Sequence, residues 1–202
     1  QSPDAEEIND AIKLLKSAKR PMIIAGGGIQ YSGAVSELTE FADKFQIPVV
    51  ETIAGRANLL DTHDLNIGPL GVTGSNSANN IAEQADVILA IGTRLQDFTT
   101  GSWTAFSTDA KIICLNAARH DAAKHLSLPI VGDAKLGLNS LSNELIGYKA
   151  SSDWTDNARK ERAKWNEYVE KNTNLKNGPS SNAQDKGADK EKFILDRLQR
   201  EG

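Results

Sequence analysis

Three consecutive glycines, Gly26-Gly27-Gly28, close the apolar run Met22-Ile-Ile-Ala25. A glycine turn lets backbone approach a ligand closely, and a helix starting there turns its amides toward a phosphate. The strict Gly-x-Gly-x-x-Gly spacing of dinucleotide sites fails, because Tyr31 stands in the last position. Glu51 ends the next apolar run, about where a ribose-binding acid would stand. Two readings are open for the glycines: a pyrophosphate cradle, or a tight turn in a structural sheet. A similar unit follows in Asp86-Val-Ile-Leu-Ala-Ile91, which empties into Gly92-Thr93-Arg94. Its amides and guanidinium suit a phosphate or carboxylate. The alternative for Arg94 is an ion pair with Asp97.

Other reactive residue types are sparse. His63, His120 and His125 have no ligand spacing between them, and no metal site is expected. Cys114 lies inside an apolar run, which favours a packed thiol over a nucleophile. There is no Gly-x-Ser-x-Gly elbow, so no catalytic residue is assigned. A single cysteine also excludes an intrachain disulfide and a multi-cysteine zinc site, and with it a sirtuin-like deacylase.

The bulk composition narrows the partners. A net charge of -4 and 5% aromatic residues speak against nucleic acid and anionic membrane. No apolar run approaches the roughly 20 residues of a membrane span. The acidic start Gln1-Ser-Pro-Asp-Ala-Glu-Glu7 is unlike a signal peptide, and a cytoplasmic location is expected. The chain begins without Met and in mid-pattern, which reads as a segment of a longer polypeptide.

The elements that must position these residues alternate. Ser2 with Pro3 is read as the start of a helix carrying the stripe Ile8, Ala11, Ile12 and Leu15. A strand over 22–25 leads through the glycines to a helix from 34 to 44 that buries Val35, Leu38, Phe41 and Phe45. Strands follow at 47–51, 86–91, 111–116 and 128–133, with a helix at 76–84 and a short one at 120–126. The Gly-rich stretch from Gly55 to Gly74 is read as irregular. Asp133 is placed to cap a helix through Leu136, Leu138, Leu141 and Leu145. Strand–helix alternation implies parallel β-structure with right-handed crossovers. The expected fold is α/β, a Rossmann-like parallel six-stranded sheet with helices on both faces and a C-terminal helical extension. A charged helix over 153–173 carries Trp154, with Trp165 and Tyr168 about 20° and 40° from it on a helical wheel. That stripe is read as an interface or core face, most sharply as an interface with another domain. Residues 174–190 read as a linker, followed by a short amphipathic helix.

Taken together, Arg20-Pro-Met-Ile-Ile-Ala-Gly-Gly-Gly28, Gly68-Pro-Leu-Gly71 with Gly74-Ser-Asn-Ser-Ala-Asn-Asn80, Ala85 to Asp97 and Pro129-Ile-Val-Gly-Asp133 resemble a known domain. It is the central domain of thiamine-diphosphate enzymes of the acetolactate synthase type. Within that family, Val50–Gly55 and Leu95–Phe106 resemble the branch that hydrolyses a carbon–carbon bond of a cyclic 1,2-dione in myo-inositol catabolism. The resemblance implies a division into a central domain at 1–148, an interdomain helix at 149–173 and a linker with a short helix at 174–202. It implies a non-catalytic domain with no cofactor of its own. Thiamine diphosphate and magnesium would be held by flanking domains of a parent enzyme, itself a homo-oligomer. In flavin- or ADP-binding relatives the domain holds the dinucleotide, and the matching positions here are Gly27, Gly28, Gly71, Arg94, Asn116 and Asp133. Asn116-Ala117-Ala118 departs from the Asp-x-Asp common in those relatives, which weakens an inherited flavin site. The other reading is an autonomous dinucleotide- or acyl-CoA-binding module.

Overall fold

The computed structural model describes residues 1–173. The chain divides into two compact units, Gln1–Arg162 and Ala163–Gly202, each described by itself. Helix α1 (Ala5–Ser17) precedes β1 (Pro21–Ala25). A single-turn α2 (Gly28–Tyr31) and α3 (Val35–Phe45) lead to β2 (Val49–Glu51) and β3 (Asn66–Pro69). Then come α4 (Asn76–Gln84), β4 (Val87–Ile91), α5 (Asp97–Thr100) and β5 (Lys111–Asn116). The described part ends with α6 (Arg119–Ala122), β6 (Leu128–Val131), α7 (Ala134–Glu144) and α8 (Ser152–Thr173).

All six strands are parallel, in the order β3-β2-β1-β4-β5-β6. This is the expected α/β sheet. Helices cover both faces of the sheet, and α7, which follows the last strand, returns to pack against α3 and α1. The central strands β1 and β4 are buried at every residue, which explains their unbroken apolar runs. Beneath the sheet Phe41 and Phe45 meet edge to face with ring centroids 4.7 Å apart. Burying each such side chain contributes about 1.5–3 kcal/mol.

Four local expectations change. Asp4, not Ser2, caps α1 by accepting from the Glu6 amide at 2.8 Å, and Pro3 lies outside the helix. Asp has the stronger local claim because its carboxylate reaches the orphan amide of the first turn. Val35 is 39% exposed, since as the first residue of α3 it overhangs the carboxyl edge of the sheet. The stretch around Gly68 holds β3, an edge strand that tolerates the missing N–H of Pro69. The helix expected at 120–126 is broken into α6 and a 3-10 turn at Lys124–Leu126, with His125 left-handed at φ 55°. Asp133 caps α7 as expected, accepting from the Leu136 amide at 3.1 Å.

Trp154 is a core residue. It is 4% exposed, and its indole Nε1 donates to the Pro21 carbonyl at 2.7 Å. Trp165 and Tyr168, farther along α8, stack on each other at 5.4 Å. The linker and short helix expected beyond Thr173 lie outside the described residues.

Candidate functional site

The strand order reverses between β1 and β4, and in an open α/β sheet the crevice at that point, outside the carboxyl ends, is where ligands bind. A cleft of about 760 Å³ opens there. Gly27, Gly28, Arg94, Asn116 and Asp133 all line it, brought together from the ends of β1, β4, β5 and β6. Gly71 does not: it lines a separate hollow with Asn79 and Gly101. There the Asn79 side chain clamps Gly71, its oxygen accepting from the Gly71 amide and its nitrogen donating to the Gly71 carbonyl, both at 3.0 Å.

The glycines prove to be packing residues. The Gly26 amide donates to Ile91 O at 2.8 Å and the Gly28 amide to Gly92 O at 2.9 Å, so the β1–β4 ladder runs on past the strands. A Cβ on Gly28 would lie 2.6 Å from the Gly92 Cα, and one on Gly27 would lie 2.9 Å from the Ala54 carbonyl oxygen. Backbone thus fills the Cβ positions of these glycines, and any side chain there would collide with it. The helix that follows has one turn only. The close packing requires glycine here, while Gly27 and Gly28 also line the cleft. Asn58 reinforces the turn, its side-chain Nδ2 donating to Gly26 O at 2.9 Å from a fully buried position.

Arg94 does not pair with Asp97. Its exposed guanidinium forms no ion pair or hydrogen bond among the described residues, leaving a positive charge at the cleft. Asn116, Asp133 and Asp121 of the wall are engaged within the protein. Asn116 donates through Nδ2 to Thr93 O at 3.0 Å and accepts the Ala118 amide on Oδ1 at 3.1 Å. The Asp133 carboxylate is engaged in the α7 cap, and Asp121 pairs with Lys124 at 2.5 Å. Glu51 is 3% exposed and turned away from the cleft: Oε1 accepts from the Leu59 amide at 3.0 Å, and Arg56 lies 3.8 Å from Oε2. It anchors a loop.

Cys114 is buried beneath this wall. Burial first, and then the nearby Asp121 carboxylate, push its thiol up to about 12, so it stays protonated and inert. His63 faces Asp43 at 3.4 Å and His125 stacks on Trp103 at 3.7 Å, on separate parts of the surface. Sequence reasoning missed Tyr31, Ile53 and Phe98, exposed apolar side chains that line the cleft from α2, the 3-10 turn after β2 and α5. Their only signal was position, just past the carboxyl ends of strands.

Residues 8–141 match the model of the thiamine pyrophosphate enzyme central domain. The chain belongs to this family. Central-domain sequences similar to it occur in three enzymes named 3D-(3,5/4)-trihydroxycyclohexane-1,2-dione hydrolase. That of Clostridium tetani is 40% identical over 174 residues, covering 86% of this chain and 27% of that protein. That of Geobacillus thermodenitrificans is 39% identical over 171 residues, covering 85% and 26%. That of Bacillus subtilis is 43% identical over 149 residues, covering 73% and 23%. The chain therefore spans about a quarter of the length of the curated relatives it matches.

Proposed function

We propose that this chain is the non-catalytic central domain of a thiamine-diphosphate-dependent hydrolase that opens a cyclic 1,2-dione in inositol catabolism. One observation carries the reading: 40% identity over 86% of the chain to a trihydroxycyclohexanedione hydrolase, within a match to the central-domain family. The domain occupies 1–148, and the helix over 149–173 leads toward a neighbouring domain or protomer, with the stacked Trp165 and Tyr168 as its contact face. The parent acts as a homo-oligomer in the cytoplasm. No described helix is long and apolar enough to cross a membrane.

The donor set does not fit thiamine diphosphate with magnesium. Among the described residues no group of three or more His, Cys, Asp or Glu could hold a metal ion. On this proposal the cofactor's carbon–carbon chemistry is supplied by flanking domains of the parent. This chain's own residues build the cleft, present Arg94 to it, and keep Asn116 and Asp133 occupied with backbone. A dinucleotide finds one charge there but few open partners. Dione hydrolysis involves no net redox change, so the chemistry does not call for a flavin.

The test is to express the longer polypeptide encoded around this chain, beside the chain alone. With thiamine diphosphate and magnesium, the longer protein is expected to hydrolyse 3D-(3,5/4)-trihydroxycyclohexane-1,2-dione and the chain alone is not. Turnover by the chain alone, or none by the longer protein, overturns the proposal.

A further inference from the structure

The far wall of the cleft is made by two loops, one leaving β5 through Asn116, Ala117 and Asp121, the other leaving β6 through Gly132 and Asp133. One backbone bond joins them directly, from the Gly132 amide to Asn116 O at 3.0 Å. The remaining ties come from the N-terminal segment. Glu7, in the first turn of α1, accepts the Val131 amide on one carboxylate oxygen at 2.7 Å. Its other oxygen accepts from the Arg119 guanidinium at 3.0 Å. One largely buried carboxylate, 17% exposed, thereby holds β6 and α6 together. Alongside, the Gln1 carbonyl accepts the Asp133 amide at 2.9 Å. Pro3 packs so closely on Gly132 that a Cβ there would lie 2.8 Å from its Cγ. β6 is an edge strand, so these groups meet donors that no further strand covers.

We infer that Glu7 is a positioning residue for this wall, and that residues 1–4 form a strap through which the preceding polypeptide sets the width of the cleft. Charge-assisted bonds are about twice as strong as neutral ones, and Glu7 makes one to the end of β6 and one to the start of α6. Removing it leaves the wall held by the β5–β6 ladder and the Gly132–Asn116 bond that continues it. A shift of the strap moves Asp133 and Gly132 directly, because both are bonded to or packed on it. The consequence for ligands rests on the cleft being a binding place, whereas the tie itself is testable without one.

Spin labels at Ile53→Cys, on the cleft, and Leu136→Cys, three residues beyond Asp133 on α7, report the separation of the two sides, since both positions are exposed. The buried Cys114 thiol, pushed up to about 12, does not compete for the label. The distance distribution is expected to broaden about twofold in Glu7→Ala and on deletion of residues 1–3, as for a locally released segment. Glu7→Gln keeps an acceptor for the Val131 amide and is expected to restore most of the narrow distribution. Should Glu7→Ala fail to fold, Arg119→Ala removes one arm at a side chain 67% exposed and is expected to broaden the same distribution. A lowered melting temperature with an unchanged distribution marks Glu7 as merely structural and overturns the proposal. ADP, titrated into the same variants, tests the ligand reading separately: no binding in any variant sinks that reading, while the width data still decide the strap.

Discussion

At the residue scale, glycine can serve a ligand or serve its own neighbours, and the Cβ positions decide which. Those of Gly26 and Gly28 are filled by Gly92, so a methyl group there must push two crossover loops apart. Overpacking of this kind costs about 1–3 kcal/mol, and rigid backbone puts Gly28→Ala at the upper end. Gly33 differs: nothing lies within 4 Å of its Cβ position, and only its left-handed φ of +62° penalises alanine. Gly33→Ala is expected to cost about 1 kcal/mol. Urea denaturation of the two variants checks the order, and equal losses would refute the packing explanation. Arg94 offers the complementary case, a charge with no ion pair among the described residues. Arg94→Ala should change stability by less than about 0.5 kcal/mol, with no coupling to Asp97→Ala in a double-mutant cycle. Cys114 sets a pH dependence. The unfolded thiol ionises near 9 and the folded one near 12, so the unfolded state loses its proton first. The stability it contributes is fully present below pH 9 and is lost as pH rises toward 12. Cys114→Ala should show a shallower loss over that window when unfolding is followed against pH.

At the element scale, legibility followed the strength of the local signal. Fully apolar runs such as 22–25 and 87–91 could be read as buried parallel strands because both faces of a central strand are covered. β3 escaped notice because Asn66-Ile-Gly-Pro69 has no periodicity and two residues that usually break strands; its place is set by pairing with β2. The cleft's glycines and Arg94 were visible as types, but whether they faced space or backbone depended on loops remote in sequence, such as Ala54 against Gly27. Arg94 and Asp97 looked like partners by spacing alone. The aromatic stripe of α8 illustrates the same limit, since wheel geometry grouped Trp154 with residues that lie beyond the core. Trp154 has a specific role, closing the Pro21 carbonyl with its indole N–H. Trp154→Phe removes that donor and part of the buried ring, so about 1–3 kcal/mol should be lost. A denaturation midpoint equal to that of the unchanged protein would contradict this bond.

At the scale of the whole molecule, the sheet places a crevice where doubly wound folds bind nucleotides, yet several of its polar side chains already hold backbone. Asn116 holds Thr93 and Ala118, Asp133 holds the start of α7, and the backbone that follows Gly26 is packed on β4. A dinucleotide arriving here would have to break such bonds or do without their donors and acceptors. Each charge-assisted hydrogen bond forgone costs about 1.5–3 kcal/mol, or roughly ten- to a hundredfold in affinity. The protein should therefore purify without a yellow colour and show no saturable flavin quenching at low micromolar concentrations. Among the described residues, Arg94 is the cation that lines this cleft, so any weak binding of ADP or flavin should fall further in Arg94→Ala. Tight flavin binding that survives Arg94→Ala would mean that the wall rearranges around the ligand, freeing Asn116 and Asp133 from the bonds they make here.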